Sequence, residues 1–384
     1  MPYDHAEIAR QIAASRDQAL AAHATRSDAA QDAAEIYLTT AHAEWERAVA
    51  DVRSKRLMGV PQTPLHEFTS GRPAGPDYTV VATDSSFVPP DKHRGSYCYL
   101  INVGRVMVHY GEEPAAELDS TPTHCAEPLI EGEDWMVSGR VLQAQCALQE
   151  LTELHRWAAQ FGADLALLDG SLMQLGLALS PSEQVHELME EYGRKLAEFE
   201  QIGVPVVGYV SKPASQAVMH AARLLGCRNA REPGAARKDP CEARCQRIEC
   251  SGLWTLDDGG LFWELLEDGN RSPVFKTHSA FGVHSSADFW DDMGFCYLAT
   301  PYEVARLEFP LWVLEAGLLD RVQSIALSQC ALGEGYPKVL TLAHNFAILR
   351  NEDRESYFFL LERAGLIQAP SEKARGKRAT GGRI

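Results

Sequence analysis

Two apolar runs in this chain each end at an aspartate, and this arrangement constrains the fold more than any other feature. YTVVAT (78–83) is followed by Asp84, and DLALL (164–168) is followed by Asp169. Short runs of apolar and β-branched residues are typical of buried strands. The sequence therefore predicts two core strands, each with a carboxylate at its end. Either aspartate alone has a second interpretation, because aspartate is common in turns.

The segments around these two strands predict the rest of the sheet. SYCYLINVG (96–104) and RVMVHYG (105–111) have strand patterns, with a turn expected at Gly104 and a loop over 111–135. The pattern then predicts a helix over 140–161, the strand at 164–168, a helix starting at Ser180, the strand VPVVGYV (204–210) and a helix through Leu225. Three antiparallel strands followed by parallel crossovers give an α/β fold with a mixed five-stranded sheet flanked by helices. This is the RNase H-like order.

The flanking segments divide the chain further. Residues 4–56 contain no Gly or Pro and are rich in Ala, Glu, Gln and Arg, so residues 1–57 are expected to form an N-terminal helical segment. Residues 58–77 are dense in Gly and Pro, which is typical of a linker. The RNase H-like domain is expected over 78–368, with an insertion region at 226–300, and the basic tail over 369–384 is expected to be disordered.

Composition limits the function. A net charge of −17 argues against a protein that coats DNA electrostatically, although a local basic groove remains compatible with it. No apolar run reaches the roughly 18–20 residues of a membrane span, and the N-terminus has no secretory pattern, so a cytoplasmic protein is expected.

The cysteines favour the same compartment. The chain has nine of them, and Cys98, Cys146, Cys296 and Cys330 lie in apolar surroundings typical of reduced, buried thiols. A second group does not have the CxxC spacing of a structural metal site, and whether it binds a metal stays open. Its members are Cys227, Cys241, Cys245 and Cys250.

Carboxylates at the ends of the first and fourth strands of this order, and on its first helix, converge at one place. Asp84 and Asp169 occupy the two strand ends. On the helix, Glu150 lies at the border of the buried stripe, whereas Glu153 points further toward solvent, so Glu150 is the preferred third acid and Glu153 the alternative. Phosphodiester hydrolysis uses two divalent cations held by such acids, roughly 3.5–4 Å apart.

The chain resembles the NurA nuclease family, whose members are partners of the HerA hexameric DNA translocase in DNA end resection. The resemblance covers about residues 78–365. The motifs that carry it are Thr83-Asp84-Ser85-Ser86, Leu168-Asp169-Gly170-Ser171-Leu172, Tyr209-Val210-Ser211-Lys212, Ala305-Arg306-Leu307-Glu308-Phe309-Pro310, Gly335-Tyr336-Pro337 and Ala343-His344.

The resemblance implies a metal-dependent DNA nuclease, with Mn²⁺ often preferred over Mg²⁺ and with two ions per active site. It implies a homodimer docked on a HerA-type ATPase, acting in DNA repair or phage defence as a 5′-3′ exonuclease, with endonuclease activity as a second expectation. Asp84, Glu150, Asp169 and His344 match the metal-binding positions. Tyr336 matches an active-site tyrosine, and Ser85 departs from the glycine that many relatives have.

Two further residues are candidates on physical grounds. Lys212 follows a strand and precedes a helix, from where it could neutralise charge on the scissile phosphate. His344 could bind metal or transfer a proton near neutral pH. No GxxxxGK[ST] sequence is present, so any ATP-driven motion has to come from a partner.

Two other functions remain open on the sequence. One is a non-catalytic adaptor that caps a DNA translocase through its N-terminal helices. The other is a different RNase H-like nuclease, such as a resolvase or an RNase.

Overall fold

The computed structural model describes residues 4–53, 56–91, 94–126, 130–131, 134–137, 139–178, 180–227, 237–238, 252–278 and 288–367. The described residues form two compact units. Unit 1 contains those of Met1–Gly71, Val210–Gly282 and Gly294–Leu307. Unit 2 contains those of Arg72–Tyr209, Val283–Met293 and Glu308–Ile384.

The helices, in chain order, are α1 (His5–Thr39), α2 (His42–Asp51), α3 (Gly139–Phe161), α4 (Leu175–Ala178), α5 (Glu183–Ile202), α6 (Ala217–Gly226), α7 (Asp258–Leu265), α8 (Trp312–Glu315), α9 (Leu319–Leu332), α10 (Lys338–Ala347) and α11 (Asn351–Arg363). Two 3₁₀ turns cover Gly252–Thr255 and Asp288–Asp292.

The strands are β1 (Val52–Arg53), β2 (Met58–Pro61), β3 (Thr69–Ser70), β4 (Tyr78–Val88), β5 (Tyr99–Tyr110), β6 (Ala115–Cys125), β7 (Ile130–Glu131), β8 (Asp134–Val137), β9 (Leu165–Asp169), β10 (Val206–Val210), β11 (Arg237–Lys238), β12 (Asn270–Arg271), β13 (Phe275–His278), β14 (Met293–Ala299) and β15 (Val304–Pro310).

In unit 1 the N-terminal helices are anchored to residues 58–65, part of the segment for which a linker was predicted. Tyr37 of α1 donates a hydrogen bond to the carbonyl of Leu65 at 2.6 Å. Trp45 of α2 donates from its indole to the carbonyl of Gly59 at 2.8 Å. Both aromatic side chains are fully buried. Helices α1 and α2 thus lie in the segment predicted to be helical, and β2 and β3 lie within 58–77; the division into domains stays a prediction.

Unit 1 also has sheet structure of its own. Its strands follow the order β2, β13, β14, β15, and β12 pairs with both β14 and β3. The pairs β2–β13 and β13–β14 are antiparallel. Three of these strands (β12, β13 and β14) lie within 226–300, the predicted insertion region. The five predicted strands therefore do not account for all of the sheet structure.

The strands of unit 2 follow the order β10, β9, β4, β5, β6. Neighbours β4–β5 and β5–β6 are antiparallel, whereas β4–β9 and β9–β10 are parallel. Helices α3 and α10 pack on this sheet, and α5 packs on α3. The predicted combination of a mixed sheet with flanking helices is confirmed.

Two details of the prediction around Gly104 were wrong. No turn occurs there, since β5 runs without interruption from Tyr99 to Tyr110 and Gly104 pairs with Asp84 of β4. The third antiparallel strand is instead β6, inside the segment 111–135 that was expected to be a loop. Strand β6 lies at the edge of the sheet and is largely exposed, so it lacks the apolar alternation that would have revealed it.

In the described part of the chain, no helix combines the length and the apolarity that crossing a membrane would require.

Candidate active site

Asp84 lies inside β4, which continues to Val88, so the prediction that the strand ends at this acid was wrong. Thr83 before it is fully buried, whereas the Asp84 side chain keeps 16% of its surface exposed. One carboxylate oxygen accepts the Ser85 amide at 2.8 Å, and the other lies 2.6 Å from Nδ1 of His344. The strand therefore fixes the backbone, and two hydrogen bonds orient the carboxylate.

His344 reaches Asp84 because α10 sits unusually close to the sheet. A Cβ atom at Gly104 would lie 2.5 Å from the backbone nitrogen of Ala347 and would also meet the carbonyl oxygen of Ala343. Only glycine allows this approach. Asn102 of β5 donates to the carbonyl of Ala347 at 2.9 Å, which fixes the end of α10 on the sheet. The hydroxyl of Ser86 on β4 donates to the same carbonyl.

Glu150 of α3 faces the part of β4 around Thr83 and Ser85. The Thr83 hydroxyl donates to the backbone carbonyl of Glu150 at 3.2 Å. The side chain and the backbone of Ser85 lie close to the carboxylate of Glu150 and oppose the rise of its pKa. Since the Ser85 amide also binds Asp84, this one serine connects the two acids.

Glu153, the alternative third acid, has a different set of partners. Its carboxylate binds Arg105 at 2.7 Å and Arg156 at 2.6 Å. The structure therefore places Glu150, and not Glu153, beside Asp84.

Asp169 ends β9, pairs with Tyr209 of β10 and is exposed. The chain then turns at Gly170, whose φ of +92° lies in the region that glycine tolerates best. The Gly170 amide donates to the carbonyl of Tyr209 at 2.9 Å. A Cβ atom at Gly208 would lie 2.5 Å from the Gly170 carbonyl oxygen, so glycine is also needed on the neighbouring strand.

Glu308 fixes the rest of the loop that follows Asp169. This residue is buried, and one oxygen of its carboxylate accepts two hydrogen bonds. The Ser171 hydroxyl donates at 2.7 Å and the Met173 amide at 3.1 Å. Glu308 therefore fixes the backbone of the loop directly after Asp169.

Burial and neighbouring charges raise the pKa of two of these acids, Glu150 and Asp84. Burial, and then the charges of Asp84 and Asp169, raise the pKa of Glu150 to about 8. Burial also raises the pKa of Asp84; the hydrogen bond from His344 opposes this shift, whereas the charge of Asp169 adds to it. The cluster thus concentrates negative charge that a cation would stabilise.

The donor set suits a divalent cation. Carboxylate oxygens are the ligands of Mg²⁺, and Mn²⁺ accepts carboxylates together with imidazole. As the side chains stand, no three His, Cys, Asp or Glu residues in the described part of the chain are grouped closely enough to hold one ion. Asp84 is engaged by His344 and Ser85 instead. The chemistry of the donors therefore fits, and ligation requires these side chains to rotate.

Tyr336 lies at the entrance to α10. Its ring packs edge-on against Tyr209 of β10, with 5.5 Å between the ring centroids and an interplanar angle of 89°. Gly335 before it has a φ of +111°, and Pro337 after it begins the helix. The tyrosine is therefore held directly before α10, the helix that carries His344.

Lys212 belongs to unit 1 and is exposed. Its φ of +43° is unusual for a residue with a side chain. Glu303 stabilises this backbone, since one of its carboxylate oxygens accepts the Ser211 hydroxyl at 2.5 Å and the Lys212 amide at 3.0 Å. Arg306, in the same unit, is buried and donates to Ser215 at 3.2 Å.

The prediction of buried thiols is confirmed, since Cys98, Cys146, Cys296 and Cys330 are buried free cysteines, and Cys227 of the second group is buried as well. The remaining members of the second cysteine group lie outside the described residues, as does the basic tail over 369–384. They are Cys241, Cys245 and Cys250.

Sequence reasoning overlooked the contributions of Ser85, Gly104 and Glu308. Ser85 was noted only as a departure from glycine, and Gly104 only as a turn residue. An isolated glycine inside a strand pattern also signals a close backbone approach, and this could have revealed Gly104. Glu308 alternates with apolar residues on its strand, and nothing in that pattern distinguishes a loop-binding acid from an exposed one.

The profile of the NurA domain matches residues 78–348, which is most of the chain. The chain belongs to the NurA family. The matched region contains Asp84, Glu150, Asp169, Tyr336 and His344, so these candidates all lie within the NurA domain. No curated protein sequence matches the chain significantly.

Several solved structures are distantly similar to this NurA-family chain. Endonuclease V from Bacillus subtilis is 12% identical, with 77% of this chain and 88% of that chain covered and a TM-score of 0.34. Drosophila Piwi is 10% identical, with 71% of this chain and 30% of that chain covered and a TM-score of 0.28. RuvC from Thermus thermophilus is 13% identical, with 41% and 84% covered and a TM-score of 0.17. At these TM-scores, the similarity carries no argument about function.

Proposed function

We propose that this NurA-family chain is a divalent-metal-dependent nuclease that hydrolyses DNA phosphodiester bonds, with an RNase H-like arrangement of its acids. The observation that carries the proposal is the coupling of Asp84, Glu150 and Asp169, with His344 hydrogen-bonded to Asp84. Structural acids are normally paired with cations, as Glu153 is with Arg105. A cluster of mutually repelling carboxylates is instead typical of a cation site.

Asp84, Glu150, Asp169 and His344 would hold the metal, either Mn²⁺ or Mg²⁺, in the proposed two-ion site. Two such ions activate the attacking water and stabilise the leaving oxygen. The chain's own contribution is orientation. Ser85 holds Asp84 and Glu150 together, Glu308 fixes the loop after Asp169, and Gly104 lets α10 approach.

His344 has a second possible role in proton transfer. Its Nδ1 faces Asp84, and the side chain keeps 59% of its surface exposed. With Nδ1 donating to the carboxylate, Nε2 is the nitrogen able to exchange a proton with water or substrate. Lys212 and Tyr336 complete the proposed set, Lys212 as a phosphate-binding cation and Tyr336 as a group that orients water or phosphate.

The family also supports a proposal about assembly. We infer a homodimer that works with a HerA-type hexameric ATPase in end resection, repair or phage defence, cutting in the 5′-3′ direction. Membership of the NurA family and the lack of a GxxxxGK[ST] sequence support this inference. Light scattering that gives the mass of one chain at micromolar concentration would exclude the dimer.

The decisive experiment compares two acids on one helix. Glu150→Gln should abolish the degradation of end-labelled DNA in Mn²⁺, because it removes a proposed ligand. Glu153→Gln, less than one turn away, should retain cleavage, because Glu153 binds only arginines in the structure. Asp84→Asn and Asp169→Asn should behave like Glu150→Gln.

Full cleavage by Asp84→Asn or Asp169→Asn would refute the site. A wild-type chain that neither cleaves DNA nor binds Mn²⁺ in calorimetry would support the adaptor function instead. Comparison of RNA, branched DNA and linear duplex would identify a different nuclease specificity.

A further inference from the structure

A cavity of about 600 Å³ opens directly beside Glu150 in unit 2. One wall is the face of α3 that carries Arg140, Gln143 and Glu150. The end of β4 contributes Phe87, and the loop after β9 contributes Gln174. The volume lies in the range of pockets that enclose a small organic ligand. Whatever occupies this cavity therefore contacts one of the proposed catalytic carboxylates.

Phe87 is the exposed aromatic group of this cavity. It keeps 41% of its surface accessible, although it lies only three residues after Asp84 on the same strand. Side chains alternate across a strand, so Phe87 points to the same side as Ser85, whose hydroxyl reaches Glu150 of α3. An exposed ring at this position offers a flat apolar face in the same cavity as the carboxylate of Glu150.

The polar groups of the cavity match the other parts of a nucleotide. Arg140 is exposed, and in the described part of the chain no carboxylate forms an ion pair with it. Gln174 donates its amide to the carbonyl of Ser171 at 2.8 Å, which leaves its own carbonyl oxygen as an acceptor. Gln143 adds a second exposed amide. Guanidinium groups bind phosphate, and amides pair with base edges.

The spacing along α3 places Arg140 far from Glu150. Arg140 precedes Glu150 by ten residues, which corresponds to about 15 Å along a helix. Arg140 is therefore too far away to bind the phosphate that Glu150 serves. The position of Arg140 suits a phosphate further along the same DNA strand.

We propose that this cavity binds an unpaired stretch of the DNA strand next to the scissile phosphate, with a base stacked on Phe87 and a phosphate on Arg140. This inference deepens the proposed nuclease function and rests on it. In a duplex the faces of the bases are covered by their neighbours, so stacking on a protein ring selects single-stranded or frayed nucleotides. The chain accordingly prefers single-stranded ends to paired ones.

Binding measured in EDTA tests this without any cleavage. Fluorescence anisotropy with a labelled oligothymidylate and with a duplex of equal length gives both affinities. Phe87→Ala should weaken single-strand binding at least about five-fold, since stacking on one ring accounts for that much or more. Phe87→Trp should restore it, and Phe359→Ala, which alters an exposed ring of α11 that does not line the cavity, should have no effect.

Arg140→Ala should weaken binding and make it less dependent on salt, whereas Arg194→Ala, an exposed arginine of α5, should do neither. Wild-type affinity in both Phe87→Ala and Arg140→Ala, or tighter binding of the duplex, would overturn the proposal. If the variants show the expected binding pattern but the wild-type chain never cleaves DNA, the proposed nuclease function is refuted and the proposed DNA-binding cavity stands. Loss of cleavage in Glu150→Gln together with unchanged binding in both Phe87→Ala and Arg140→Ala would refute the cavity and keep the nuclease.

Discussion

Glu308 and Glu303 stabilise two loops through the same pattern of hydrogen bonds. In each case one carboxylate oxygen accepts a serine hydroxyl and a backbone amide of the loop that follows a neighbouring strand. Two donors on one oxygen fix each loop without any hydrogen bond to the side chain of the candidate residue, Asp169 or Lys212. For Glu308, the fixed loop is the one that carries Asp169.

We expect Glu308→Gln to raise the Mn²⁺ concentration needed for half-maximal cleavage by about ten-fold or more, as loss of a residue that supports a metal ligand typically does. The amide replaces a charged acceptor with a neutral one, so the loop loses part of its restraint. Cleavage rates across an Mn²⁺ titration measure the effect, and Ser171→Ala, which removes only one donor, should shift the titration less. An unchanged Mn²⁺ dependence in Glu308→Gln would contradict the role.

His220 of α6 couples the stability of unit 1 to pH. Burial lowers the pKa of its imidazole, and the charges of Arg223 and Arg56 lower it further, whereas the hydrogen bond to the Leu57 carbonyl and the charge of Asp258 oppose the shift. Protonation therefore favours the unfolded chain. The stability contribution is complete above the unfolded pKa of about 6.5 and is lost as the pH falls below it.

The unfolding temperature should accordingly fall between pH 7.5 and pH 5.5, and His220→Gln should reduce that fall. Glutamine keeps a donor for the Leu57 carbonyl, 3.0 Å from Nδ1 in the structure, but cannot take up a proton. Thermal unfolding at a series of pH values measures this, with His278→Gln of β13 as the control for losing one imidazole. An equal fall in His220→Gln and the wild type would exclude the effect.

At the scale of elements, the approach of α10 to the sheet decides whether His344 meets Asp84. Gly104→Ala should cost about 1–3 kcal/mol of unfolding free energy, because the methyl group meets backbone atoms that cannot move independently. It should also reduce cleavage, since α10 has to shift. Gly75→Ala is the matched control, because a Cβ atom there meets nothing within 4 Å. Urea unfolding gives the free energies, and equal values for both variants would rule out close packing at Gly104.

The same element shows what the sequence can and cannot predict. Strand β9 and the part of β4 before Asp84 were predictable because both are largely buried and rich in apolar and β-branched residues. Strand β6 was not, because an exposed edge strand that contains Pro122 has the composition of a loop. Gly104 was assigned to a turn because local pattern cannot distinguish a turning glycine from one that faces a helix. That difference depends on α10, more than 230 residues later in the chain.

On the scale of the whole molecule, the net charge of −17 opposes the binding of a polyanion. Affinity for DNA therefore has to come from few, well-placed groups, and not from a broad basic surface. The candidates are Arg140 and Lys212, together with the stacking surface of Phe87. The basic tail is the alternative source of attraction, with cations at Lys373, Arg375, Lys377, Arg378 and Arg383.

These two sources predict different salt dependences. With two phosphate contacts, binding of a single strand should weaken only about seven-fold between 50 and 200 mM salt, compared with the roughly 10³–10⁵-fold loss of proteins that make 6–10 contacts. Truncation after residue 368 should leave this slope unchanged, because neither Arg140 nor Lys212 belongs to the tail. Anisotropy titrations of both chains across that salt range measure it. A steep slope that becomes shallow on truncation would show that the tail, and not the cavity, holds the DNA.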